Sequence, residues 1–232
     1  STLIQLHLFQ PERYWLYMDE LKFTYVLNRE ILGNRRKLVV WIQRIQKDRQ
    51  SQIQERFREF LTTSELKTQI KLSPYTIIKD AAVVEVVHRE DKPGLLAMIA
   101  ASLTANDLEI LTAHIGDLGQ PDTLLDSFVV RDPFYETRTW NDVQRLLSED
   151  IKDLLEHGLT IEEIFERRGR PRPHRFPKPK ITFVIPTKIY FESERNFTWM
   201  TVKSADRKGL LYIIASLVGQ LGINIQPQSA ID

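Results

Sequence analysis

Apolar and polar positions recur with two different periods along this chain, and the period changes near residue 80. From Leu38 to Leu61, the residues Leu38, Trp41, Ile42, Ile45, Ile53, Phe57, Phe60 and Leu61 fall mostly three or four apart, with Gln, Arg and Glu between them. That spacing predicts an amphipathic helix, and Gly33-Asn34 marks a break ahead of it. Residues 1–79 are therefore expected to form a mostly helical N-terminal region. Beyond it, Ala82 to His88 is dense in valine and bounded by Arg-Glu-Asp-Lys-Pro-Gly, which predicts a strand. Pro93 fits a first helical position, where its missing N–H costs nothing. Leu95, Leu96, Met98, Ile99 and Leu103 then give a helix an apolar face, and Asn106-Asp107 ends it.

Two further strands are expected, at 108–118 and 123–131, joined through Gly119-Gln120-Pro121-Asp122. Thr139-Trp140-Asn141-Asp142 has the form of a capping box, followed by the apolar series Val143, Leu146, Leu147, Ile151, Leu154 and Leu155 of a second helix. The order β-α-β-β-α is one strand short of a ferredoxin-like βαββαβ unit. The missing strand is expected at Thr187 to Phe191, after a linker at 167–180 that holds seven Arg or Lys, four Pro and no acid. Proline at that density forbids helix and favours an extended spacer. The alternative is an electrostatic strap onto an acidic surface.

The chain also repeats itself. A shift of 115 residues lays Asp91-Lys92-Pro93-Gly94-Leu95-Leu96 over Asp206-Arg207-Lys208-Gly209-Leu210-Leu211, Ile99-Ala100 over Ile214-Ala215, and Leu108-Glu109-Ile110 over Ile223-Asn224-Ile225. The shared core is strand, Asp-x-x-Gly-Leu-Leu, helix, strand. A glycine there lets the helix start press against a neighbour. The aspartate can cap the helix or face an amine, and the free amides can hold a carboxylate. An amino acid carries both charges. The competing reading is capping and close packing with no ligand. Lys208 puts a cation at a helix start, where the dipole disfavours it unless a carboxylate meets it.

Composition narrows the choices. The chain has 232 residues, 32 Lys+Arg against 31 Asp+Glu, and no Cys. Absence of Cys excludes a disulfide scaffold, a Cys-ligated metal site and a thiol nucleophile, and fits a cytoplasmic protein. The five histidines are far apart in sequence and none forms a His-Asp dyad, so neither a metal site nor a cofactor is expected. No transmembrane helix or signal peptide is expected either. Charge is unevenly spread: residues 22–71 hold twelve Lys or Arg against five acids, a local excess of +7. That excess is read as a solvated helix face, or one docked on an acidic neighbour, with nucleic-acid binding as the weaker alternative.

The two Asp-x-x-Gly-Leu-Leu segments resemble the strand-to-helix signature of ACT domains, small ligand-sensing modules. Leu125 to Pro133, the Arg/Pro linker, Pro186 to Phe191 and Phe197 to Val202 are similar to the ACT region of the bifunctional uridylyltransferase/uridylyl-removing enzymes, and Arg13-Tyr14-Trp15-Leu16 to a short motif ahead of it. The resemblance implies an α+β chain: a helical N-terminal region (1–79), a ferredoxin-like βαββαβ ACT domain (80–192), and a second ACT domain (195–232) of which only the N-terminal half is expected. It also implies a sensor for an amino acid, glutamine above all, that biases nucleotidyltransferase and hydrolase domains acting on the PII protein. No catalytic residue of those domains is expected in this chain. The ligand-binding residues so implied are Asp91, Gly94, Leu95, Asp206, Gly209 and Leu210, with Asn224 or His114 reading the amide. Pairing with other ACT modules is the implied assembly. A purely structural ACT dimerisation module is the alternative function.

Overall fold

The valine-rich strand predicted near residue 82 is an interior strand of its sheet, buried on both faces. A computed structural model gives the architecture and describes residues 2–9, 40–42, 54–63, 65–75, 79–89, 93–117, 123–173, 188–194, 197–205 and 208–223. The strands are β1 (Thr2–Phe9), β2 (Val40–Ile42), β3 (Thr68–Pro74), β4 (Ala81–Arg89), β5 (Glu109–Asp117), β6 (Thr123–Arg131), β7 (Lys188–Glu194) and β8 (Phe197–Ala205). The helices are α1 (Arg58–Thr62), α2 (Leu95–Ala105), α3 (Trp140–Leu155), α4 (Ile161–Arg167) and α5 (Leu210–Gln220). The fold is mixed α+β, with two sheets ordered β2-β5-β6-β4-β3 and β1-β8-β7. Within them β1 runs parallel to β8 and β2 parallel to β5, and the other neighbours are antiparallel.

Strand alternation explains why β4 is so apolar. Its even positions Ala82, Val84 and Val86 face the main core with Ala113, Ile115, Phe128 and Val130. Its odd face meets a second cluster, in which Val87 and Leu125 pack on Phe57 and Phe60. Arg89 stacks its guanidinium 4.8 Å from the Phe60 ring centroid and donates to the Phe60 carbonyl at 3.0 Å. A strand covered on both sides has no position for a solvated side chain. Glu85 is buried there too, and Arg56 meets its carboxylate. At the sheet edge, β3 carries Lys71 in mid-strand and Pro74 at its end, both of which discourage a further strand from adding.

Helix α2 carries no charged residue, and every one of its residues except Met98 is buried. Such a helix must be enclosed. The first sheet, α3, α4 and α5 enclose it, and Met200 and Val202 of β8 join the same cluster through α5. Helix α3 is amphipathic and buries Val143, Leu147, Ile151 and Leu154. Its capping box is formed as the sequence predicts. Thr139 accepts from the Asp142 amide, and the Asp142 carboxylate takes the Thr139 amide and hydroxyl. Helix α4 has a second such box between Thr160 and Glu163. Arg138 closes the other end of α2 by donating to the Asn106 carbonyl at 2.7 Å, while it grips the buried Asp132 with two hydrogen bonds.

Three sequence expectations are corrected here. The N-terminal region is not mostly helical among the described residues: strands stand at 2–9, 40–42 and 68–74, and the helical stretch is short. Within the helix expected over 38–61, Val40–Ile42, three consecutive apolar residues, instead extend alongside β5, and residues 43–53 lie outside the described residues. The strand near 187–191 does form, but it pairs with β8 and not with β4. The edge beside β4 is taken by β3, which comes earlier in the chain. A hairpin with its near neighbour closes a shorter loop than a return across the 167–180 linker. Pro93 also falls outside the helix it was expected to start, because Gly94 is the N-cap.

The arginine-rich segment is a strap onto acidic groups of this same chain. Asp150 is fully buried, and it receives Arg168 at 2.7 Å and 2.9 Å and Asn106 at 2.7 Å. Arg167 reaches Asp153 at 2.7 Å and Arg172 meets Glu162. Replacing Arg168 by Ala strips the main partner from a buried carboxylate, so Arg168→Ala is expected to cost about 3 kcal/mol in urea unfolding, and Arg168→Ala with Asp150→Asn less than that.

The caps make stability depend on pH with a definite sign. The Thr139 side chain and backbone hold the Asp142 carboxyl below its ordinary value, the Thr160 backbone and side chain do so for Glu163, and His157 with Arg167 for Asp153. A depressed carboxyl stabilises the fold above its unfolded value, about pH 4, and that stabilisation disappears as pH falls through the folded value. The urea midpoint is therefore expected to drop on acidification below about pH 4, and Thr139→Ala with Thr160→Ala to flatten that drop.

Candidate functional site

The repeated glycine lies at equivalent places in the two halves. Gly94 ends the approach from β4 and caps α2 with φ +87°, and Gly209 ends the approach from β8 and caps α5 with φ +74°. Both are left-handed, a conformation an L side chain adopts at a cost. Neither helix has a side-chain cap or an acid in its first turn, so among the described residues the amides of Leu95-Leu96 and of Leu210-Leu211 start their helices without a side-chain acceptor. The first acceptor inside each helix is the glycine carbonyl, bonded by Met98 in one and Ile213 in the other, each at 3.0 Å.

The two helices run against one another head to tail. A Cβ built on Gly219, near the end of α5, would stand 3.0 Å from the Gly94 Cα and 3.2 Å from its nitrogen. A Cβ on Gly209 would stand 3.0 Å from Thr104 Cγ2, near the end of α2. Thr104 and Gly219 are separated by 115 residues, as are Gly94 and Gly209. The contacts are thus reciprocal, and each corner touches the last turn of the other unit's helix. Small residues at both crossings let the backbones approach.

The corners differ in what fills them. Among the described residues nothing lies within 4 Å of a Cβ built on Gly94. A Cβ on Gly209 would meet Pro173 Cγ at 2.5 Å and Pro173 Cβ at 2.9 Å, so the strap closes that corner. Lys208, beside Gly209, finds its carboxylate in Asp107, just past the end of α2, and Arg170 takes the other oxygen of the same carboxylate. Asp107 has φ 62°, and its short polar side chain suits it to that left-handed position. Arg172 donates to the Tyr212 hydroxyl at 3.2 Å, and Tyr212 packs its ring 5.7 Å from Phe165. The cation disfavoured by the helix dipole is therefore paired within the protein.

Of the residues singled out by sequence, Gly94 and Leu95 stand at one corner and Gly209 and Leu210 at the other, with both leucines buried. Asp91, Asp206 and Asn224 lie outside the described residues. His114 occupies a register position in β5 between Trp41 of β2 and Ser127 of β6. Sequence reasoning missed His88, at the end of β4 ahead of the Gly94 corner. Its ring is 1% exposed, neither nitrogen has a hydrogen bond among the described residues, and Nε2 is paired with Asp126 Oδ2 at 3.4 Å. A buried imidazole without hydrogen bonds is costly, and a ligand amide or carboxylate could satisfy it. Its even position in an alternating strand was the available signal. Among the described residues no group of three or more His, Asp or Glu side chains forms a metal-holding cluster.

Comparison with known proteins gives one consistent likeness. Over 152 residues, 64% of this chain, it is 30% identical to the bifunctional uridylyltransferase/uridylyl-removing enzyme of Burkholderia orbicola and equally identical to that of Burkholderia lata. The enzyme of Burkholderia vietnamiensis is 29% identical over the same length. The chain spans only 16% of the length of each of these relatives. No family model matches the chain. No solved structure matches it. No helix among the described residues is long and apolar enough to cross a membrane.

The asymmetry of the corners gives a stability test. Gly209→Ala adds a clash with Pro173 to the left-handed strain, and is expected to cost about 3 kcal/mol in urea unfolding. Gly94→Ala adds strain alone and is expected to cost about 1 kcal/mol. Equal losses would contradict the asymmetry.

Proposed function

We propose that this chain is the amino-acid-sensing region of a uridylyltransferase/uridylyl-removing enzyme, with glutamine as the ligand and the PII protein as the substrate of the whole enzyme. The observation that carries the reading is the pair of left-handed glycine corners joined by reciprocal helix contacts. The likeness to enzymes of that name over 64% of the chain supports it. Among the described residues the Gly94 corner is the open one, and a ligand carboxylate there would take the amides that begin α2. The ligand's ammonium would meet Asp91. His88, buried near the end of β4, would supply a polar group for the side-chain amide. Because the Gly94 backbone touches Gly219, a shift of the first corner presses on the end of α5, and a coupling of about 1–3 kcal/mol is enough to bias a distant equilibrium. Asp206 at the second corner would play the part of Asp91 only once Pro173 had moved away.

A second reading, a structural module that takes no small ligand, is favoured by the closed state of the Gly209 corner. Nucleic-acid binding is disfavoured by the strap, whose Arg167, Arg168, Arg170 and Arg172 are paired with acids of the same chain.

Titration calorimetry of the 232-residue chain with glutamine, glutamate and asparagine separates these readings. Sensing predicts saturable heat with glutamine at micromolar to millimolar affinity, about 4–8 kcal/mol, with a stoichiometry near one. Asp91→Ala is expected to abolish the heat while leaving the unfolding midpoint within about 1 kcal/mol of the parent. No heat with any of the three amino acids favours the structural module.

A further inference from the structure

Helices α2 and α5 end in the same way, and one residue differs between the two ends. The Leu108 amide donates to the Leu103 carbonyl at 3.0 Å, and the Ile223 amide to the Val218 carbonyl at 3.2 Å. Between them stand Asp107, with φ 62°, and Gly222, with φ 68°. All these pairs keep the 115-residue spacing of the repeat. Glycine is the ordinary residue at such a left-handed helix end, and an aspartate adopts it at some cost. The residues ahead of the glycine corners differ in step with this: Pro93 in the first unit answers to Lys208 in the second.

The reciprocal contacts set these differences against each other. The end of α2 lies against the Gly209 corner, and the end of α5 against the Gly94 corner. One crossing therefore carries Asp107 paired with Lys208, while the other has Gly222 and Pro93, neither of which can carry a charge. Asp107 is buried, and its two oxygens take Lys208 and Arg170 separately. Without that carboxylate, two cations would face each other at the start of α5, where the helix dipole already disfavours positive charge. From Arg170 the strap runs on to Arg172, which meets Glu162 and the Tyr212 hydroxyl, and to Pro173, whose ring lies on Gly209.

We propose that Asp107 is an internal latch. Its carboxylate joins Arg170 of the strap to Lys208, holds Pro173 over Gly209, and so withholds the second corner from the carboxylate of a free amino acid. The seat between Lys208 and Arg170 takes a carboxylate, and the protein fills it with its own. Two corners that the repeat makes alike thereby become unequal, one available and one reached only after an ion pair opens. The ligand's part in this rests on the amino-acid-sensing reading, and the latch itself does not.

Amide exchange with water, measured by NMR on the 232-residue chain, reads the latch with no ligand present. Asp107→Gly suits the left-handed backbone and removes the carboxylate. It is expected to raise exchange at Leu210 and Leu211 about ten-fold and to leave Leu95 and Leu96 unchanged. Pro173→Gly is expected to do the same, and Arg170→Ala to have a smaller effect, since Lys208 stays paired. Asp107→Asn, which also tolerates positive φ, repeats the measurement if the glycine variant unfolds more easily than the parent. Unchanged exchange at Leu210 and Leu211 once the carboxylate is gone overturns the proposal. So does an equal rise at Leu95 and Leu96, the mark of general loosening. Calorimetry with glutamine is then expected to give a stoichiometry near one for the parent and near two for Asp107→Gly. Faster exchange with a stoichiometry still near one overturns the claim that the latch withholds a ligand seat. No heat from either protein counts against amino-acid sensing, and the exchange rates alone then decide the latch.

Discussion

The head-to-tail contact between α2 and α5 is the constraint on which the rest of the structure depends. Neither helix carries a charge, so each must be enclosed, and each encloses the other. Close approach is possible because Gly94 meets Gly219 at one crossing and Gly209 meets Thr104 at the other. Two weak local features, a left-handed glycine and a small residue ten positions on, become strong when duplicated. They fix the distance between the units and their relative orientation together. A larger residue at either crossing would push apart backbones, which have no rotamer through which to yield.

Ionic contacts then hold the pair in register. Asp107 sits where the end of α2, the start of α5 and the strap converge, and it answers two cations from two different segments. Asp150 does the same inside the first unit, with arginines from the last residue of α4 and the residue after it and an amide from just past α2. Buried carboxylates of this kind add little net stability, but they penalise any arrangement that leaves them unpaired. They therefore select one packing of strap and helices among several of similar apolar area.

Much of the first unit was legible in the sequence, and the reasons are local. β4, β5 and β6 announce themselves by β-branched residues bounded by turn formers, and α3 by a capping box and a clean stripe. The glycine corners were legible from the repeat. The N-terminal region was not. Leu38, Trp41 and Ile42 fit a helical spacing, yet a short apolar run such as Val40–Ile42 fits a buried strand equally well, and periodicity cannot choose between them. The ungapped repeat also hid a shift. It lays Val87 on Val202, but Val202 shares the environment of Val86, and the one-residue difference is absorbed between strand and glycine. The closure of the Gly209 corner by Pro173 was illegible because nothing near either residue in sequence records their contact. Both partners of the Lys208–Asp107 pair were visible, but only the folded chain brings them together.

The hairpin that opens each unit has a consequence for the order of events in folding. β3 pairs with β4 across residues 75–80, and β7 with β8 across 195–196, so each strand finds its partner at very short sequence separation. A unit closed by its last strand would instead wait for a partner on the far side of two helices. Short separations lower the entropy lost on closing the first loop and raise folding rates. Each unit thus has a nucleus that can assemble during synthesis, before its first helix has left the ribosome, and the two-strand template is ready when the glycine corner and its helix arrive.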